Sequence, residues 1–164
     1  MANSGARFHF HNRAVTAAWV VTLLASGWVG AQGAPRPEAL IKWRQSAYQV
    51  LAWNSGPIKA ALAGAYDTHE VQSAANALAA VANSGLPGLF PAATAEGKGW
   101  RPTTASAEVF KDAAKFRALN DEFARQANEL ARLANGGSQQ AVSAQFLAVA
   151  KACKSCHDKF RQTD

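Results

Sequence analysis

Apolar and alanine residues recur at spacings of three and four along most of the chain, and runs of alternating β-branched residues are absent. Four helical stretches are predicted from that pattern. The first covers residues 37 to 63, with Leu40, Ala47, Leu51, Asn54 and Ile58 on one face and with Gly56-Pro57 expected to kink or break it. The second follows Asp67-Thr68-His69-Glu70, which has the form of a capping box with Asp67 as N-cap and Glu70 reaching back. It carries Val71, Ala75, Leu78 and Ala82 on one face and stops at Asn83-Ser84-Gly85. The third is the most regular: Val109, Ala113, Phe116, Asn120, Phe123, Ala127, Leu130 and Ala134 alternate by four and three up to Asn135-Gly136-Gly137, the pattern of a bundle seam. The fourth starts near Ser138 and repeats the spacing with Val142, Phe146, Val149, Cys153, Cys156 and Phe160, so both cysteines fall on its core-facing stripe. The predicted fold is all-α, an antiparallel up-down-up-down four-helix bundle.

One connection does not fit a minimal bundle. Residues 86 to 104 form a long join that holds Pro87, Pro91 and Pro102 together with Leu89, Phe90 and Trp100. Long apolar loops need a reason. In this topology the join lies at the same end of the bundle as the C-terminus of the fourth helix, where it either covers a bound group or simply caps the bundle.

Ahead of the helices, the N-terminus has the layout of a secretory signal. A polar start carrying Arg7 and Arg13 and no acid precedes an apolar run from Ala14 to Val29, short for a membrane span. Cleavage is placed after Val29-Gly30-Ala31, which makes residues 1–31 a removed signal peptide and residues 32–164 the mature domain. Trp19 and Trp28 near the ends of the run also suit a retained anchor. On either reading the bulk of the protein lies outside the cytoplasm, and the mature chain is not expected to be an integral membrane protein. The formal net charge of +6 is mild, and its basic residues are scattered along helices rather than clustered with aromatics, so nucleic acid is not an expected partner.

Two cysteines in an exported chain ordinarily suggest a disulfide. Here they sit three apart and a histidine follows at once: Cys153-Lys154-Ser155-Cys156-His157. Residues i and i+3 share a side of a helix, and His157 lies about 100° further round, so it can lean over a group that both thiols hold. Two thiols that can add to the vinyl groups of haem, with an imidazole placed to bind iron, make covalent haem c the expected cofactor, with Cys153 and Cys156 as attachment points and His157 as the metal ligand. A redox dithiol lacks its βαβ setting, and a structural zinc site lacks ligands, since after signal removal His69 is the only other histidine. No acid-base pair or activated nucleophile is indicated by spacing, so no enzyme activity is expected.

At these residues the chain resembles the cytochromes c′, which are themselves a standard example of the up-down-up-down bundle. The resemblance spans the mature chain and rests on Cys-Lys-Ser-Cys-His-Asp-Lys-Phe-Arg from Cys153 to Arg161 and on Lys-Trp-Arg-Gln-Ser-Ala-Tyr from Lys42 to Tyr48. It implies a five-coordinate, high-spin haem with an apolar pocket on its sixth side, binding of nitric oxide or carbon monoxide, and electron transfer with a redox partner protein. By the same likeness Arg44 pairs with a haem propionate, Tyr48 shields the vacant face of the iron, and Arg161 governs access to the proximal imidazole. A homodimer through the first two helices is implied too, with Trp53 and Val50 as apolar surface. A periplasmic location follows from the signal together with haem attachment after export.

The open sixth position also has support from residue counts. The only methionine is Met1, in the signal, and His69 opens the second helix at the opposite end of the bundle from Cys156. Two other readings stay open at this point: a low-spin electron-transfer cytochrome, and a haem-free helical interaction domain closed by a Cys153 to Cys156 disulfide.

Overall fold

The computed structural model describes residues 33 to 162, so the predicted signal lies outside the described residues. Among the described residues there are five α-helices: α1 (Pro37–Ala63), α2 (Thr68–Ala82), α3 (Glu108–Lys111), α4 (Ala113–Ala134) and α5 (Gln139–Phe160). Four of them are long and form a ring, with α1 against α2, α2 against α4, α4 against α5, and α5 closing on α1. This is the predicted all-α four-helix bundle. Among the described residues the only β pairing is two isolated bridges. No described helix is long and apolar enough to cross a membrane.

The ends of the helices follow local chemistry. Asp67 caps α2 by accepting the Glu70 amide at 3.0 Å, and Ser138 caps α5 by accepting the Ala141 amide at 3.2 Å. The second contact of the expected capping box, from the Glu70 side chain, is not made. At Gly85 the backbone takes a left-handed conformation, φ 80°, which releases the chain from α2 into its long connection.

Two expectations about continuity are corrected. First, α1 runs unbroken through Gly56-Pro57. The proline removes a donor to the Trp53 carbonyl, but Trp53 stands on the solvent side, where water can replace it. Just upstream, Asn54 and Ser55 donate side-chain hydrogen bonds to the carbonyls of Val50 and Leu51, so both side chains are satisfied within their own helix. Second, the third predicted helix is interrupted. Asp112 leaves helical geometry at φ −119°, ψ 57°, and separates the single turn α3 from α4. Its carboxylate accepts the Lys115 amide at 3.1 Å, capping α4, and the Lys159 ammonium at 2.7 Å, so a continuous helix would forfeit both contacts.

The core has two parts. The larger lies between the four long helices and includes Leu51, Ile58, Val71, Leu78, Phe123, Leu130, Val142 and Val149. A smaller one, formed by Val109, Phe116 and Phe160 with Phe90 and Leu119 against them, sits at the end of the bundle where α5 finishes. Cys153 packs against the first and Cys156 against the second, so the motif lies at their boundary. Ala113, expected on the seam, is exposed, because the break at Asp112 resets the helical phase there.

Candidate haem site

The last two turns of α5 project Cys153, Cys156 and His157 into the wall of a cavity of about 380 Å³ that opens between α1, α4, α5 and the 86–107 connection. Such a volume is ordinary for a cofactor or small-molecule site. Both cysteines are free thiols. Burial pushes the Cys153 thiol up, and it pushes Cys156 to about 11, with the neighbouring Cys153 adding to the effect. Both therefore stay protonated at neutral pH, unlike the low-pKa thiol of a redox dithiol. Burial, then the nearby Arg161 charge, holds His157 below the usual imidazole range against the pull of Asp158, which keeps a lone pair available for a metal.

Part of the wall, reaching round to Cys156, is aromatic. Tyr48 meets Phe90 edge-on at 6.4 Å between ring centroids, Phe90 meets Phe116 at 4.8 Å, and Phe116 meets Phe160 at 5.3 Å. Leu51, Leu119 and Phe123 extend the apolar lining. Burial, reinforced by the Cys156 thiol and opposed by Arg44, raises the Tyr48 pKa, so its phenol remains neutral at ordinary pH.

Arg44 is also in the wall but turns towards the connection. It is 3% exposed, its guanidinium lies 4.4 Å from the centre of the Phe90 ring, and it donates to the Leu89 carbonyl, to Thr94 through both Oγ1 and the carbonyl, and to Thr103 Oγ1. The connection is thereby drawn across the mouth of the cavity as a strap. Gln45 and Ser46 of α1 hold it as well, and at its far end Ser106 and Gln162 pair with the backbone around Phe160 and Thr104. Arg161 follows α5 in extended geometry, lines the cavity and is exposed. His69 is exposed at the start of α2 and forms no part of the wall.

The structure thus gathers Cys153, Cys156, His157, Arg44, Tyr48 and Arg161 around one cavity. Sequence reading named Phe90 within the long connection but missed Thr94, Thr103, Gln45 and Arg101, all of which come from the strap or from its anchor on α1. The apolar character of residues 86 to 104 was the only signal for them.

A long-helix bundle with two thiols and an imidazole in the wall of one cofactor-sized cavity defines a c-type haem protein. The chain matches the family model described as Cytochrome C' over residues 39–161. It is 48% identical over 130 residues to the cytochrome c' of Rhodocyclus tenuis, a match covering 79% of this chain and 98% of that one. Among solved structures, a cytochrome c' described as having an unusual ligand-controlled dimer dissociation superposes with a TM-score of 0.77 at 39% identity, covering 80% of this chain and all of the other. A nitric oxide complex of a variant cytochrome c prime from Alcaligenes xylosoxidans gives 0.70 at 26% identity with the same 80% of this chain covered. The chain belongs to the cytochrome c′ family. It is a haem c-binding cytochrome, and the donor set fits that group: two neutral thiols one turn apart, a largely unprotonated imidazole and an apolar cavity beside them.

Proposed function

We propose that Cys153 and Cys156 carry the haem as thioethers, that His157 is its axial ligand, and that the protein binds a diatomic gas such as nitric oxide or carbon monoxide at an open sixth position. One observation carries the reading: among the described residues, the cavity wall contains one histidine, His157, and no methionine. A low-spin cytochrome needs a second strong ligand. When bound, haem supplies an iron that exchanges electrons and accepts a small ligand. Tyr48 and the Phe90–Phe116–Phe160 cluster exclude bulk water and restrict the size of what enters. The Tyr48 phenol, kept neutral, offers a hydrogen-bond donor rather than a competing anionic ligand. Arg161, one turn beyond His157, controls the approach to the imidazole from the surface.

The protein acts in the periplasm after removal of residues 1–31 and has no catalytic group of its own. It forms a homodimer through α1 and α2, for which Val50 and Trp53 offer exposed apolar surface. A second reading, electron carriage to a redox partner protein, draws support from the exposed cations Arg101 and Arg161 at the cavity.

The test is spectroscopic. Purified protein is expected to show a mass increase of one haem, high-spin absorption, and uptake of carbon monoxide by the ferrous form. Six-coordinate low-spin spectra in both oxidation states would refute the open site, and a haem-free chain with a Cys153–Cys156 disulfide would refute the cofactor assignment.

A further inference from the structure

An asparagine followed by glycine is the least protected setting for a side-chain amide, because glycine has no Cβ to shield its backbone nitrogen or to limit its rotation. That pair occurs once in the chain, at Asn135-Gly136 in the turn between α4 and α5. We infer that Asn135 is a deamidation site held in check by Asn76 across the α2–α4 seam, so that opening of this seam starts a slow conversion of the amide to a carboxylate.

The chemistry needs only water. The Gly136 nitrogen gives its proton to hydroxide and attacks Cγ of Asn135. A C–N bond closes a succinimide ring, and Nδ2 takes a proton from solvent and leaves as ammonia. Water then opens the ring at either carbonyl, which gives aspartate in the ordinary chain or isoaspartate, whose backbone runs through the side chain. No electrons are exchanged, and both residues are exposed to the water the reaction uses.

Native contacts oppose the first step. Asn135 ends α4 with φ −85° and ψ −5°, and its Nδ2 donates to the Asn76 side-chain oxygen at 3.0 Å and to the Ala131 carbonyl at 2.7 Å. The leaving group must release both acceptors before the amide carbon can turn to Gly136. The nucleophile is held less firmly: the Gly136 amide reaches the Leu133 carbonyl at 3.3 Å, an oxygen that the Gly137 amide already takes at 2.6 Å. Of the two side-chain ties, the one to Asn76 comes from another helix and depends on the seam being closed.

Asn83 supplies an internal comparison. It ends α2 with φ −90° and ψ 4°, and its Nδ2 donates to the Ala79 carbonyl and to the Asn128 side chain, each at 2.7 Å. Helix end, back-bond and cross-seam partner match those of Asn135, with the two helices exchanging roles. The next residue differs. Ser84 places a Cβ beside its own amide, which donates to the Val81 carbonyl at 3.1 Å. Asn54, Asn76, Asn120 and Asn128 lie inside helices, where the following amide is engaged in the ladder.

Conversion changes the bundle. A carboxylate at position 135 has no donor for Asn76 or Ala131, and it sets a negative charge at the C-terminus of α4, the wrong sign for the helix dipole. The modified end of α4 loses its tie to α2.

The experiment incubates purified wild type, Asn76→Ala, Asn128→Ala and Gly136→Ala at mildly alkaline pH below the melting temperature. Conversion is followed by mass spectrometry of proteolytic peptides, with fragmentation that separates aspartate from isoaspartate. Wild type is expected to convert at Asn135 ahead of Asn83, and Asn76→Ala to convert there about fivefold faster, the population change that loss of one hydrogen bond allows. Asn128→Ala removes the corresponding tie from Asn83 and controls for general loosening of the seam, so it should leave the Asn135 rate at the wild-type value. Gly136 has no left-handed φ, and a Cβ there meets nothing within 4 Å, so Gly136→Ala should fold as wild type and suppress the reaction. Conversion led by Asn83, an Asn135 rate that Asn76→Ala leaves unchanged, measurable or nil, or one that Asn76→Ala and Asn128→Ala raise equally, overturns the inference.

Discussion

Arg44 is the most costly residue to lose by the count of its contacts. It is buried, charged, and bonded to four oxygens of the strap. Arg44→Met keeps much of the volume and removes every donor, leaving Thr94 Oγ1 and two carbonyls to find new partners. Destabilisation on the order of 3 kcal/mol is expected in denaturant titrations. The sequence placed this arginine near the haem but not its direction, because its partners are about fifty residues away in a loop that has no periodicity to read. At Tyr48 the prediction concerns pH. Its folded-state pKa is raised, mainly by burial, so the unfolded chain loses the phenolic proton first as pH climbs past about 10. Stability from this group is intact below that point and declines above it. Tyr48→Phe should flatten the alkaline end of the stability profile and leave the absorption spectrum at neutral pH unchanged, since no tyrosinate ligand exists there to remove. A neutral-pH spectrum altered by Tyr48→Phe would contradict the second part. The thiols and His157, by contrast, were legible at once, because a motif inside one helical turn carries its geometry in its spacing.

Elements were legible where periodicity was strong and failed where side chains compete with the backbone. The stripes of α2, α4 and α5 are buried nearly as the spacing predicted, while the break before α4 depends on Asp112 finding Lys159, 47 residues on. That contact has a pH signature. The Lys159 hydrogen bond, and then the Lys115 amide, hold the Asp112 carboxyl below its ordinary range. A carboxyl depressed in the folded state stabilises above its unfolded pKa, about 4, and the contribution drains away as pH falls through the lower folded value. Asp112→Asn should therefore reduce the acid dependence of the melting temperature, and added salt should weaken the difference because the pair is exposed. The strap offers a sharper test. A Cβ at Gly99 would stand 2.7 Å from the Lys42 amide and 2.6 Å from Gln45 Oε1, and the first of these belongs to the backbone of α1 and cannot step aside. Gly99→Ala should lift the strap, cost about 1–3 kcal/mol, and raise hydrogen exchange over residues 97 to 103. Gly88→Ala, with nothing within 4 Å of its Cβ, is the control and should change stability by less than about 1 kcal/mol.

At the scale of the whole molecule, the outer face of α1 is left unfinished. Trp43, Val50 and Trp53 are all exposed at helical spacing, Trp53 at 78%. With the proposed dimer placed there, Trp53→Glu should give a monomer by sedimentation with its haem spectrum intact, whereas a dimer that survives would move the interface elsewhere. Inside the subunit, the α5–α1 seam that contains the cavity joins the two extremes of the described chain, and the strap that closes it is gathered from the middle. The consequence is one of timing. A partly made chain has only part of the pocket, since the strap and the lining residues of α1 and α4 are made before the two cysteines and the histidine of its wall. The thiols come last, near the C-terminus, onto a surface whose other parts already exist. A truncation just after Cys156 therefore removes His157, Phe160 and the Ser106 and Gln162 contacts at the far end of the strap in one event, while the ties from Arg44, Gln45 and Ser46 remain, so that such a product keeps its thiols but lacks the imidazole beside them.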